Sequence, residues 1–310
     1  MVTIGETMAG LVRDDAAGCY RFTAMGAESN VAAGMAQLGC RTRWISRLGD
    51  DELGRQVADF VRGHGVDAQV DWDSGRVTGV CVKELTPAGT RVHYYRSQAA
   101  VRHLDHDHLR HIGTPRWIHL TGVTPALSPS CAAVVTALAT REHDGATRVS
   151  FDVNHRPSLW RDDREAARTL IPLARAADTV FIGDDEAERL LGTSDEAEVR
   201  RQLLIRDDQE VVLKRGPAAA SLLTCAGTVT EPALRVEVVD VTGAGDAFAA
   251  GYLTAACNGW GPRERLRLGH RSAARVIGVT GDLVPSLERS ERDRLFDAVL
   301  GNSHDGERTA

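Results

Sequence analysis

Short apolar runs alternate with longer segments of helical pattern along most of this chain. Trp44 and Ile45, Trp117 to Leu120, Val149 to Val153, Val180 to Ile182 and Val211 to Leu213 are each followed by such a segment. Runs of this kind suit strands buried on both faces, and strands separated by helices pair in parallel. The alternation therefore predicts a doubly wound, mainly parallel α/β sheet with helices on both faces. The first helix is marked by Val31, Met35 and Leu38 at i, i+4, i+7, with Gly39 as its stop. A second carries Leu53, Val57, Phe60 and Val61 on one face and ends near Gly63.

One region breaks the alternation. From Thr78 to Arg96 two strand-like runs are joined by Thr86-Pro-Ala-Gly89 with no helix between them, which predicts an antiparallel hairpin. A hairpin inserted early in a parallel α/β fold is placed to act as a lid over the carboxyl ends of the strands, where ligands bind. With 310 residues, 43% of them hydrophobic, and no internal repeat or linker, we expect one α/β domain over residues 1–300. The β lid would come from about 10–24 and 70–98. Residues 301–310 are polar without apolar periodicity and read as a disordered tail.

Composition narrows the partners. A formal charge of -6 argues against a nucleic-acid binder, which needs a basic face. The six cysteines are scattered, with no C-x-x-C pair, and read as reduced thiols. The N-terminus lacks a basic and apolar leader, and no stretch approaches the roughly 20 apolar residues that span a bilayer. These features point to the cytoplasm and away from a membrane.

The chemistry-bearing run is Asp240-Val-Thr-Gly-Ala-Gly-Asp246. Val236 to Asp240 reads as a strand, and Ala247 to Ala256 as a buried helix, apolar nearly all round. Gly243, Ala244 and Gly245 lie between them, where small residues allow close backbone approach and helix N-terminal amides point at an anion. Asp246, in the first turn, is placed to take a proton from a hydroxyl attacking a phosphoryl group held there. The motif alone also admits a second reading, in which Asp246 complements the helix dipole. A P-loop is excluded because G-x-x-x-x-G-K-[ST] is missing, and a dinucleotide fold because Phe248 stands where a third small residue belongs.

This run, with Gly26-Ala-Glu-Ser-Asn30-Val-Ala and Leu48-Gly-Asp-Asp-x-x-Gly54, resembles the two signatures of the ribokinase-like (PfkB) carbohydrate kinases, in the family's order and spacing. The resemblance covers residues 2 to 288. It implies a ribokinase-like fold, ATP and Mg²⁺, and a homo-oligomer formed through the lid. It also implies Asp246 as catalytic base, with Gly243, Ala244 and Gly245 as anion hole and Gly26 and Asn30 on sugar hydroxyls. Lys214, Gly216 and Thr242 would serve the nucleotide. Glu186 would organise Mg²⁺ through water, although Gly183 stands where the family's N-x-x-E motif has asparagine.

Within the family the pattern is most similar to kinases of 2-keto-3-deoxygluconate, through Tyr94-Tyr95-Arg96, Asn154 and Arg156 in Phe151 to Trp160, and Gly281-Asp282. That likeness makes Tyr95, Arg96, Asn154, Arg156 and Asp282 substrate residues. Guanidinium groups independently suit a sugar acid, because they bind carboxylates in a planar, bidentate way. Cys81 replaces a tyrosine and Met25 a second glycine, and period two puts Tyr95 and Arg96 on opposite strand faces. A kinase of a neutral sugar such as fructose or ribose, or a non-catalytic sugar- or nucleotide-binding regulator, therefore stays open.

Other clusters carry less. His103, His106, His108 and His111 lack the spacing of a metal site and read as a solvated connector. Asp50-Asp51 and Asp184-Asp185 read as turn or helix-start residues.

Overall fold

The structure, a computed structural model, describes residues 1–14, 18–86, 89–141, 147–278 and 287–301. The strands are β1 (Val2–Ile4), β2 (Met8–Asp14), β3 (Cys19–Met25), β4 (Arg43–Gly49), β5 (Asp67–Asp73), β6 (Val80–Thr86), β7 (Gly89–Tyr95), β8 (Trp117–Thr121), β9 (Arg148–Asp152), β10 (Thr179–Gly183), β11 (Glu210–Lys214), β12 (Ala219–Thr224) and β13 (Gly227–Pro232). The helices are α1 (Ala27–Gln37), α2 (Glu52–Gly63), α3 (Pro129–Ala139), α4 (Asp163–Ala176), α5 (Asp184–Leu191), α6 (Glu196–Leu203), α7 (Ala244–Cys257), α8 (Pro262–Ile277) and α9 (Arg289–Leu300).

A nine-stranded sheet runs β13-β12-β11-β10-β9-β8-β1-β4-β5. It is parallel from β11 to β5 and ends in an antiparallel edge of β12 and β13. The expected doubly wound, mainly parallel sheet is what forms. Its continuous apolar strands are buried on both faces: Val180 and Ile182 join the core beneath α3 and α4, while Phe181 packs with Tyr252 and Leu253 of α7 on the other. Both predicted first helices are present. Gly39 follows the first at φ +90 and closes it through a hydrogen bond from its N–H to the Ala36 carbonyl. The second starts on Asp51, whose side chain accepts from the Gly54 N–H at 2.7 Å, as a helix-start aspartate should.

From β1 the chain winds outward to β4 and β5, then returns to β8 on the opposite side and continues to β11. Strand order thus reverses beside β1, and a crevice opens at the carboxyl ends of β1 and β8. Over it lies a separate four-stranded sheet, β3-β2-β6-β7. The predicted hairpin is its β6 and β7 pair, antiparallel from Val80↔Tyr95 to Thr86↔Gly89. The lid boundary needs correction at one end. Residues 70–73 belong to β5, which pairs with β4 in the large sheet, and the lid's second segment begins at Val80.

A second correction concerns Val236 to Asp240, which form no strand. The segment instead crosses the surface with Val238 and Val239 exposed, held where the N–H groups of Val239 and Asp240 meet the Ile277 carbonyl at 2.9 and 3.2 Å. Residues 301–310, read as a tail, lie outside the described residues but for Gly301.

Candidate active site

The turn before α7 is built as its glycines suggest. Gly243 caps the helix at φ +76, a backbone conformation that disfavours any side chain, and the Ala247 N–H returns to its carbonyl at 2.9 Å. Gly245 lies close to the neighbouring strand end, since a Cβ there would stand 3.7 Å from Lys214 Nζ. Asp246 follows in the first helical turn and is 8% exposed. Asn30 Nδ2, on α1, donates to its Oδ2 at 2.9 Å. This bond joins residues 216 apart in the chain and orients the carboxylate. Asn30 Oδ1 is buried without a partner among the described residues.

Gly26 owes its identity to crowding. A Cβ would lie 2.1 Å from the Glu6 carbonyl and 2.6 Å from Thr7 Oγ1, so only glycine lets α1 start against the end of β1. Two positions on, Glu28 is fully buried and accepts from the hydroxyls of Thr121 and Thr124 at 2.7 and 2.6 Å. Burial pushes its carboxyl up to about 7, against those two hydrogen bonds.

At the ends of β9, β10 and β11 a second charged group forms. Lys214 Nζ donates to Asp152 Oδ2 at 2.8 Å. Burial alone would lower its pKa, but the carboxylates of Asp152 and Glu186 outweigh that and hold it raised. Glu186 accepts from the His155 and Gly183 N–H groups, each at 2.7 Å, and burial raises its carboxyl. Gly216 sits just beyond β11 at φ +48. Thr242 turns its hydroxyl inward to Asp240 Oδ1 at 2.7 Å. Asn154 is buried at φ +39, rare for a side-chain-bearing residue, and its Oδ1 lacks a partner among the described residues.

The acid-binding set is less assembled. Arg96 is 9% exposed, bonded to buried Glu6, and stacked 4.6 Å from the Tyr94 ring centroid. Tyr95 is 64% exposed and lies on the opposite lid face, so Tyr94, which pairs with Cys81, takes the position expected of Tyr95. Arg156 is exposed before a short 3-10 turn, and no ion pair of it is found among the described residues. Asp282 lies outside the described residues. Cys81 packs its Sγ 3.3 Å from Met25 Sδ, so the two departures from the family pattern compensate each other in one buried contact.

The histidine cluster is corrected in part. His108 is buried and His111 half-buried, and both approach Asp71, at 3.4 and 3.3 Å, beside an Arg110 ion pair at 2.6 Å. The connector is a charged seam against β5. No group of metal-ligating residues is found among the described residues, nor a helix long and apolar enough to cross a membrane.

Sequence reasoning gave no role to Glu6, Glu28, Lys83, Tyr94 or Asp152. Glu28, Tyr94 and Asp152 lay inside quoted motifs; for Glu6 and Lys83 only the folded contacts are informative.

A family model described as pfkB family carbohydrate kinase matches residues 1–289. The chain is 34% identical over 281 residues to a 2-dehydro-3-deoxygluconokinase of Thermoproteus tenax, covering 88% of this chain and 85% of that protein. It is 33% identical over 297 residues to a 2-dehydro-3-deoxygalactonokinase of Haloferax volcanii, covering 91% and 92%. The crystal structure of a PfkB protein from Polaromonas sp. JS666 superposes with a TM-score of 0.82 at 30% identity, covering 96% of this chain and 98% of that one. The site geometry and these matches over nearly the whole length agree, and the chain belongs to the pfkB family of carbohydrate kinases, phosphotransferases that act on an alcohol group.

Proposed function

We propose that the protein transfers the γ-phosphate of ATP to the 6-hydroxyl of 2-keto-3-deoxygluconate, with Asp246 as general base. The observation that carries this is the junction at α7: a buried carboxylate, oriented by Asn30, one residue beyond glycine amides at a helix N-terminus. A hydroxyl presented to Asp246 loses its proton as it attacks, and the amides of Gly243, Ala244 and Gly245 stabilise charge growing on the transferred group. Lys214, beside Gly245, adds a fixed positive charge, and Gly216 leaves room for the nucleotide. Magnesium fits this charge balance. The carboxylates of Asp152, Glu186 and Asp246 converge on the Lys214 ammonium, so a divalent ion on the phosphates is electrostatically welcome beside them, and Glu186 would hold it through water. The ion would neutralise phosphate charge during transfer.

Arg96 is the candidate for the sugar carboxylate, with Arg156 reaching in from the rim, while the unpartnered amide oxygen of Asn154 can accept from a sugar hydroxyl. The pairing of Arg96 with Glu6 supports a second reading, a neutral ketose substrate, because part of the guanidinium charge is already answered. A coupled ADP-release assay over 2-keto-3-deoxygluconate, its galactonate epimer, fructose and ribose separates these. The acid should lead, and a marked preference for fructose sinks the acid reading. Asp246→Asn should lower kcat by about 10²–10⁴ with substrate affinity largely kept. Undiminished turnover would remove Asp246 as base.

The lid supplies a candidate surface for self-association. Tyr20 and Tyr95 are 50% and 64% exposed on strands β3 and β7, on the face opposite Cys81. We expect a homo-oligomer through this face, with Tyr95→Asp shifting the mass seen by light scattering to the monomer. A monomeric wild-type protein at micromolar concentration contradicts it.

A further inference from the structure

Lys83 lies in β6, between strand partners Val12 and Val92, and is 0% exposed. Its Nζ donates to Asp240 Oδ2 at 2.5 Å, and the Asp240 side chain is likewise 0% exposed. Burial of both charges holds only while they are paired. Asp240 opens the turn that leads to the glycines. Its Oδ1 accepts from the Thr242 N–H at 3.1 Å and the Thr242 hydroxyl at 2.7 Å, and Gly243 with its positive φ comes next. One carboxylate therefore folds the turn with one oxygen and receives the lid with the other. The contact joins positions 157 residues apart, on two different sheets.

We propose that the Lys83–Asp240 ion pair is a latch between lid and anion hole, and that Lys83 is a positioning residue for phosphoryl transfer. When the lid is seated, its ammonium fixes Asp240, Asp240 fixes Thr242, and the amides that follow are aligned on the transferred group. When the lid lifts, the Asp240 carboxylate loses the Lys83 ammonium and the turn loosens. Closure over the sugar and assembly of the anion hole are thereby one event, which keeps phosphoryl transfer from proceeding to water in an open site. This rests on the kinase reading above.

A double-mutant cycle tests it. Lys83→Met takes the ammonium from Asp240 and Asp240→Asn takes the carboxylate from Lys83, whereas the double variant removes the pair as a whole, and Asn can still accept from Thr242. Each single variant should lower kcat by about 10²-fold while KM for the sugar stays within about threefold, and the double variant should return to within about tenfold of wild type. Amide hydrogen exchange of residues 80–84 and 240–246 should quicken in each single variant and slow again in the double. Wild-type kcat in Lys83→Met overturns the latch. So does a double variant whose loss is the product of the two single losses, since the ammonium would then act on substrate without Asp240. If a single variant fails to fold, an active double variant still supports the pair and an inactive one overturns it. The exchange measurement needs no substrate: if the wild-type protein turns over no sugar, unchanged protection of 240–246 in Lys83→Met overturns the latch independently of the kinase reading.

Discussion

Asp246 shows how far a residue can be read from its neighbours in sequence. The glycines before it and the apolar helix after it left two readings, base or dipole partner. The structure adds the Asn30 hydrogen bond and the burial that a dipole partner does not need. Glu28 is the opposite case, a quoted letter whose environment was invisible. Buried with two hydroxyl donors and an unpartnered Oε2 among the described residues, it holds its proton up to about 7 against an ordinary 4.5. The folded state therefore binds a proton that the unfolded chain releases between these values. The stabilising balance is fully present below about 4.5 and is lost as pH rises through about 7, a loss of roughly 3 kcal/mol at 1.36 kcal/mol per unit. Glu28→Gln should remove most of that decline. Urea unfolding of both proteins at pH 5 and pH 8 measures it, and parallel pH dependence in the two would show that Glu28 is ordinary in the fold.

Among the elements, helices were the more legible because their caps and periods are local. Gly39, Asp51 and the spacing of Val31 and Met35 act within one turn or two. The α1 start differs, since Gly26 sits at φ -169, which any residue adopts, and is fixed by the Glu6 carbonyl across the crevice. Gly26→Ala must push that backbone aside. We expect a loss of about 1–3 kcal/mol, measured as a lowered Tm, with a raised KM for the sugar because Glu6 carries Arg96. An unchanged Tm would mean that β1 yields freely. Strands were less secure. Val236 to Asp240 has the composition of a strand, but the N–H groups of Val239 and Asp240 go to the Ile277 carbonyl at the end of α8 and not to a neighbouring strand. Tyr95 and Arg96 were adjacent letters with opposed directions, and pairing of Tyr95 with Val80 settled which tyrosine meets the guanidinium.

For the whole molecule, the sequence by itself determined the class of fold and the order of its parts, and it marked the start of α7 as the candidate site. Hydrophobic period, glycine spacing and helix caps are short-range properties, written where they act. Only the tertiary structure decided which distant charges share a cavity. Asn30 with Asp246, Glu6 with Arg96, Lys214 with Asp152 and Lys83 with Asp240 each join separate elements. Every one of these polar groups is easily solvated in an extended chain and carries no mark of burial in its own neighbourhood. What selects the partner is the winding of the sheet about β1, which brings strand ends, α1, α7 and lid to one crevice, where a charge removed from water must find its opposite.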